Sequence, residues 1–131
     1  MIGVDTSVVV RLLVGSPKEQ ADRAARLFES EAEIGISLVV LLETAHVLRT
    51  QYGVGRSDVL DGIIGLIARA NVAAIGPSKP DVLDALVRAR SLPGMPIADA
   101  LVVLSARTAS ALPINTFDTD LHRHGVPVAT P

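Results

Sequence analysis

Short apolar runs alternate with longer segments of helical periodicity, and this alternation constrains the chain more than any other feature. Ile2-Gly3-Val4, Glu33-Ile34-Gly35-Ile36, Val72 to Ile75 and Pro113-Ile114-Asn115-Thr116 read as strands. Val126-Pro127-Val128 reads as a fifth, at a sheet edge because of its proline. Helical patterns run from Thr6 to Leu13, from Ser16 to about Ser30, and from Ser37 to about Tyr52. Three more run from Ser57 or Asp58 to Arg69, from Ser78 to about Arg90, and from Ile97 to Thr108. Ser16-Pro17-Lys18-Glu19 has the order of an N-cap, a first-turn proline and a closing capping-box glutamate. The helix after Ser37 is apolar on most sides, which predicts a central position. The alternation predicts βαβ units: one α/β domain over residues 1–131, with a parallel sheet of about five short strands flanked by helices.

At 131 residues the chain can bury a full core without covalent staples. It has no cysteine, which excludes disulfides, Cys-ligated zinc and thiol chemistry. No basic segment with a cleavage site marks a signal peptide, and no apolar run approaches about 18 residues, so a cytoplasmic protein with no membrane span is expected. A net charge of −2 gives no global basic footprint for nucleic acid. The positive charge is carried by ten arginines against two lysines. Arginine suits bidentate contact with phosphate, although a coding bias accounts for the same excess. Three aromatics, Phe28, Tyr52 and Phe117, are too few for a base-stacking platform. A hydrophobic fraction of 49% without a membrane span predicts apolar surface that meets another chain.

Four carboxylates interrupt or end apolar segments: Asp5, Glu43, Asp99 and Asp118. Acids in such places are expected to be buried or half-buried, and buried acids need a partner. Asp5 and Asp118 each follow a strand, where open parallel sheets bind ligands. Glu43 lies about two turns into its helix and Asp99 in the first turn of its own. All four can therefore reach one pocket. Two carboxylates about 4 Å apart repel by about 4 kcal/mol at an effective dielectric of about 20, which a divalent cation relieves. An oxygen-only ligand set suits Mg²⁺ or Mn²⁺, and the chemistry this supports is hydrolysis of a phosphodiester.

Each acid also has a plainer reading. Asp5 and Asp118 can simply cap the helices that follow them. Asp99 can be a first-turn acid favoured by the helix dipole. Glu43 caps nothing. Thr6, Ser7 and Thr116 either orient a ligand or cap helices. Glu43-Thr44-Ala45-His46 has the Glu-x-x-His spacing of di-iron bundles, but only once. His122 and His124 read as part of a surface turn. No phosphate-binding glycine loop, nucleophile elbow or His-Glu-x-x-His motif is present.

Four segments together resemble the successive motifs of PIN domains, above all VapC-type toxins of type II toxin–antitoxin modules. They are Val4-Asp5-Thr6-Ser7, Ile36-Ser37 through Leu42-Glu43, Ile97-Ala98-Asp99-Ala100-Leu101 and Thr116-Phe117-Asp118-Thr119-Asp120-Leu121. The segment Val47 to Gly53 is also similar to that group. The resemblance implies a five-stranded parallel sheet and a metal-dependent ribonuclease. It implies catalytic Asp5, Glu43, Asp99 and Asp118, with Asp5, Asp99 and Asp118 on Mg²⁺ or Mn²⁺. Asp120 would be an auxiliary acid, and Thr6 or Thr116 would orient water or ligand. It further implies an RNA substrate, a homodimer and a cognate VapB-type antitoxin. Pro96 stands where many relatives carry another acid, which puts a larger acidic cluster in question.

Two other classes compete. A PIN fold with little activity would act by binding RNA or a partner. A receiver-type Mg²⁺-binding signalling domain would want an acidic pair after the first strand and a lysine after the last; here Asp5 stands alone and Lys79 is far from the last strand.

Overall fold

The computed structural model describes residues 1–131. The elements follow in the order β1 (Ile2–Gly3), α1 (Thr6–Val14), α2 (Lys18–Glu29), β2 (Ile34–Ser37), α3 (Leu38–Thr50), α4 (Arg56–Ile67), β3 (Val72–Ile75), α5 (Lys79–Ser91), α6 (Ile97–Thr108), β4 (Ile114–Asn115), α7 (Asp120–Arg123) and β5 (Val128–Ala129). No helix is long and apolar enough to cross a membrane.

All strand pairs are parallel, as the alternation requires. β2 lies between β1 and β3, with Ile34 opposite both Ile2 and Val72. As the middle strand it is the most buried, and Ile34 and Ile36 are fully enclosed. Gly35 allows the close approach on which this depends: a Cβ there would lie 2.6 Å from Met1 Sδ and 3.0 Å from Ile75 Cγ1.

The five expected strands all form, divided into a three-stranded and a two-stranded parallel sheet. β4 and β5 pair only with each other, Ile114 opposite Val128 and Asn115 opposite Ala129. The Ile114 and Thr116 N–H groups donate to Pro127 and Ala129, while the Ile2 N–H donates to Glu33. Each of these strands is two residues long and spends its ladder on one neighbour. One edge of β1 and one edge of β4 stay unpaired.

The helices enclose one core that runs from Val9 to Val126. Val59, Leu60, Ile63 and Ile67 form the fully buried stripe of α4. Each such side chain contributes about 1.5–3 kcal/mol through burial. α3 is central, as predicted, packing against α1, α4 and α6. Ser37 caps it, its Oγ accepting from Val40 N–H at 3.2 Å. Ser78 caps α5 in the same way, accepting from Asp81 N–H at 3.3 Å.

The expected capping box of α2 is absent. The N-cap position falls on Pro17, with no side-chain bond, so Ser16 lies one residue too early to reach the first turn. α4 starts at Arg56 rather than at Ser57 or Asp58, because Arg56 is drawn inward. Its Nη2 donates to the carbonyls of Ala89 at 2.9 Å, Leu92 at 3.3 Å and Met95. This one guanidinium fixes the turn between α5 and α6. An Asp61–Arg90 ion pair joins α4 to α5 nearby. Asn71 Nδ2 similarly donates to Phe28, Ser30 and Ala32, holding the segment that leads into β2. α7 is a single turn, carrying an Asp120–Arg123 ion pair at 3.2 Å, where only a surface turn was expected.

Two substitutions test this packing. Replacing Arg56 by Ala strips a charged donor from three carbonyls and should lower unfolding free energy by about 2–3 kcal/mol. Thr44 is completely buried and its Oγ1 has no partner. Thr44→Val keeps the shape and removes the orphaned hydroxyl, so it should raise stability by about 1 kcal/mol. Urea unfolding curves measure both.

Candidate active site

Asp5 stands between β1 and α1 and caps the helix. Its Oδ1 accepts from the Ser7 hydroxyl at 2.6 Å and from Val8 N–H at 3.3 Å. The Ser7 bond first, and the Val8 bond second, hold its carboxyl below the ordinary value of 3.8. Both bonds use Oδ1, so Oδ2 remains free for a ligand. Capping and ligation are therefore compatible at this residue. Thr6 is the first helical residue and is half-buried.

Asp118 follows β4 in a turn built from side chains. The Asp118 N–H donates to Thr116 Oγ1 at 2.9 Å, and Asp118 Oδ1 accepts from Asp120 N–H at 2.8 Å. Thr116 thus shapes the loop that carries Asp118. Asp120 is exposed and engaged by Arg123.

Asp99, in the first turn of α6, is half-buried. Burial pushes its carboxyl above 3.8, the nearby Asp118 charge pushes it further, and His124 acts in the opposite direction. Asp99, Asp118 and His124 therefore form one electrostatic neighbourhood. His124 lies in the expected turn, half-buried, while His122 is exposed. Its spacing from His122 carried no signal of this, because its placement depends on the turn of α7 and on Gly125 behind it.

The expectation that all four acids are buried or half-buried is corrected: Asp5, Glu43 and Asp118 are exposed, and only Asp99 is sheltered. Asp5 and Asp118 lie just beyond β1 and β4, each an edge strand of its sheet. Glu43 lies on the outward side of α3, between exposed Leu42 and buried Thr44 and Ala45. No three His, Asp or Glu side chains are gathered closely enough to hold one ion. The chemistry of the Asp99–Asp118 pair nevertheless fits a hard divalent cation. Both donors are carboxylate oxygens, and the charge of one disfavours ionisation of the other, a cost that a cation offsets.

A profile of the PIN domain matches residues 2–127, nearly the whole chain, and the protein belongs to the PIN domain family. Membership supports nuclease activity as a class. No curated protein and no solved structure gave a significant match.

Asp5 and Asp99 have opposite pH signatures in metal-free protein. The folded chain binds the Asp99 proton more tightly than the unfolded chain does, so stability is lost as pH rises above 3.8 through the raised native value. Asp5 is the reverse: its contribution is present above 3.8 and is lost as pH falls through the lowered native value. Thermal unfolding should find Asp99→Asn more stable than the parent at about pH 7 and equal to it at about pH 3. Asp5→Asn should be less stable at about pH 7, with the gap narrowing in acid.

Proposed function

We propose that this chain is a metal-dependent endoribonuclease acting as the toxin of a type II toxin–antitoxin module of the VapC type. The observation that carries the reading is the half-buried Asp99 whose carboxyl is raised by Asp118, in a PIN-family chain. Asp5, Asp99 and Asp118 would hold Mg²⁺ or Mn²⁺, using the free Oδ2 of Asp5 and the carboxylates of the other two. The ion, when bound, polarises a phosphoryl oxygen and makes water more acidic. Glu43 would complete the acidic set or orient the attacking water. Thr116 holds the Asp118 turn, Asp120 is an auxiliary acid beside it, and Thr6 lies next to Asp5 to orient water or ligand.

The apolar surface supports the protein partners in this reading. Val39 is 74% exposed on α3 beside half-exposed Leu42, and Phe117, next to Asp118, is 86% exposed. A VapB-type antitoxin and a second copy of the chain would cover such surface, with the Phe117 side closest to the acids. The substrate would be cellular RNA in the cytoplasm. The alternative, a PIN domain that binds RNA or a partner with little catalysis, is favoured by one observation: Asp5 and Glu43 are not gathered with Asp99 and Asp118 into a group of three.

Purified, antitoxin-free protein is incubated with total RNA and Mg²⁺ or Mn²⁺, beside EDTA and the Asp99→Asn and Asp118→Asn variants. Discrete fragments should form, and the rate should fall by about 100-fold or more in each control. Expression without antitoxin should arrest growth, and Asp99→Asn should relieve the arrest. Absence of cleavage by well-folded protein with either metal would establish the binding reading instead.

A further inference from the structure

α5 and α6 are joined by residues 92–96 and pack side by side as a helical hairpin. The groove between them holds about 600 Å³. Its floor is apolar, with Ala85, Val103 and Leu104. Its two ends differ. At the turn end lie Arg88, His124 and Ala100, the residue after Asp99. At the other end lie Asp81 and Arg107, and Asp84 lies between the ends, one helical turn from Arg88. Asp81 and Arg88 are seven residues apart on α5, a rise of about 10 Å. His124, which lines the Arg88 end, is also close enough to act on the Asp99 carboxyl, and this places that end beside the sheltered acid of the candidate site.

Arg88 is held without being neutralised. The ion pairs of the protein are Lys18–Asp22, Arg90–Asp61 and Arg123–Asp120, and Arg88 takes part in none. Its Nη2 donates to the His124 carbonyl at 3.2 Å, which orients the guanidinium and leaves its other N–H groups free. Gly125 makes room for this arrangement. A Cβ there would lie 3.4 Å from Arg88 Nη2, and its φ of +73 falls in the left-handed region that favours glycine.

Building on the ribonuclease reading, we propose that the α5–α6 groove is the RNA subsite next to the scissile bond, with Arg88 holding the adjacent backbone phosphate. The planar, always charged guanidinium matches phosphate geometry. The apolar floor receives the neighbouring nucleoside. Asp84, one helical turn from Arg88, accepts a hydrogen bond from a base amino group, as carboxylates do from cytosine N4. Arg88 is a substrate-binding residue in this account, and Gly125 a positioning residue.

The test is binding of a short single-stranded RNA to the full chain in EDTA, by fluorescence anisotropy across a salt series, with cleavage assayed in parallel with Mg²⁺ or Mn²⁺. One lost phosphate contact on a single strand should reduce the slope of log affinity against log salt by about 0.7. Arg88→Ala should show that reduction and a fall in cleavage of about tenfold or more. Arg88→Lys should keep the slope and lose part of the affinity. Arg26→Ala, which removes one exposed charge from α2, should leave the slope unchanged. Circular dichroism and melting temperature establish that each variant is folded. If the parent cleaves RNA and Arg88→Ala matches it in slope and rate, the subsite is overturned while the ribonuclease stands, and the groove is left to a protein partner. If the parent binds RNA without cleaving it and Arg88→Ala still loses the slope, the subsite stands and the catalytic reading falls. A parent that neither binds RNA in EDTA nor cleaves it with either metal overturns both.

Discussion

The guanidinium of Arg56 is the contact on which the rest of the candidate site depends. It is desolvated, and burial lowers its pKa, with the charge of Arg49 adding to the effect. It remains cationic because arginine does not deprotonate in proteins. Its three carbonyl acceptors come from the end of α5 and the turn before α6. That turn decides where α6 begins, and the beginning of α6 decides where Asp99 points. The same turn sets the spacing of the two helices and hence the width of the groove beside Asp99. One half-buried cation thus governs an acid and a cleft that it does not touch.

Around that anchor the electrostatics divide into two parts. Asp5 is stabilised as an anion by its own helix cap and is accessible to solvent. Asp99 is destabilised as an anion by burial and by Asp118. In the proposed site the first would be a ready ligand, and the second a ligand only when something offsets its charge. Perturbed carboxylates of this kind cluster at functional sites. Thr116 and Asp120 do quieter work, since their hydrogen bonds fix the loop on which Asp118 rides.

Much of this was legible in the sequence because its causes are local. Ser37 and Ser78 cap the helices they precede, and β3 and α6 have the predicted bounds. The alternation of strands and helices led correctly to a parallel α/β fold, and the ordered acidic motifs led to the PIN family. The failures have non-local causes. The α2 capping box failed because the helix starts one residue beyond the reach of Ser16. The start of α4 moved because Arg56 bonds to carbonyls more than thirty residues away. Burial of the acids was inferred from apolar neighbours, yet a helix turns successive residues in different directions: Glu43 faces outward while Thr44 and Ala45 face inward. His124 and Arg88 carried no motif at all. They meet only because α7 and the glycine after it return the chain to α5.

The split sheet has a consequence for how firmly the acids are held together. Asp5 extends from one three-stranded unit and Asp118 from a two-stranded one, and no backbone ladder sets the distance between them. In a continuous sheet that distance would be dictated by interstrand hydrogen bonds before any ligand arrived. Here it is left to side-chain packing: α3 packs against both α1, which Asp5 caps, and α6, which carries Asp99. Substitutions in that packing would shift the spacing of the acids where a continuous sheet would hold it.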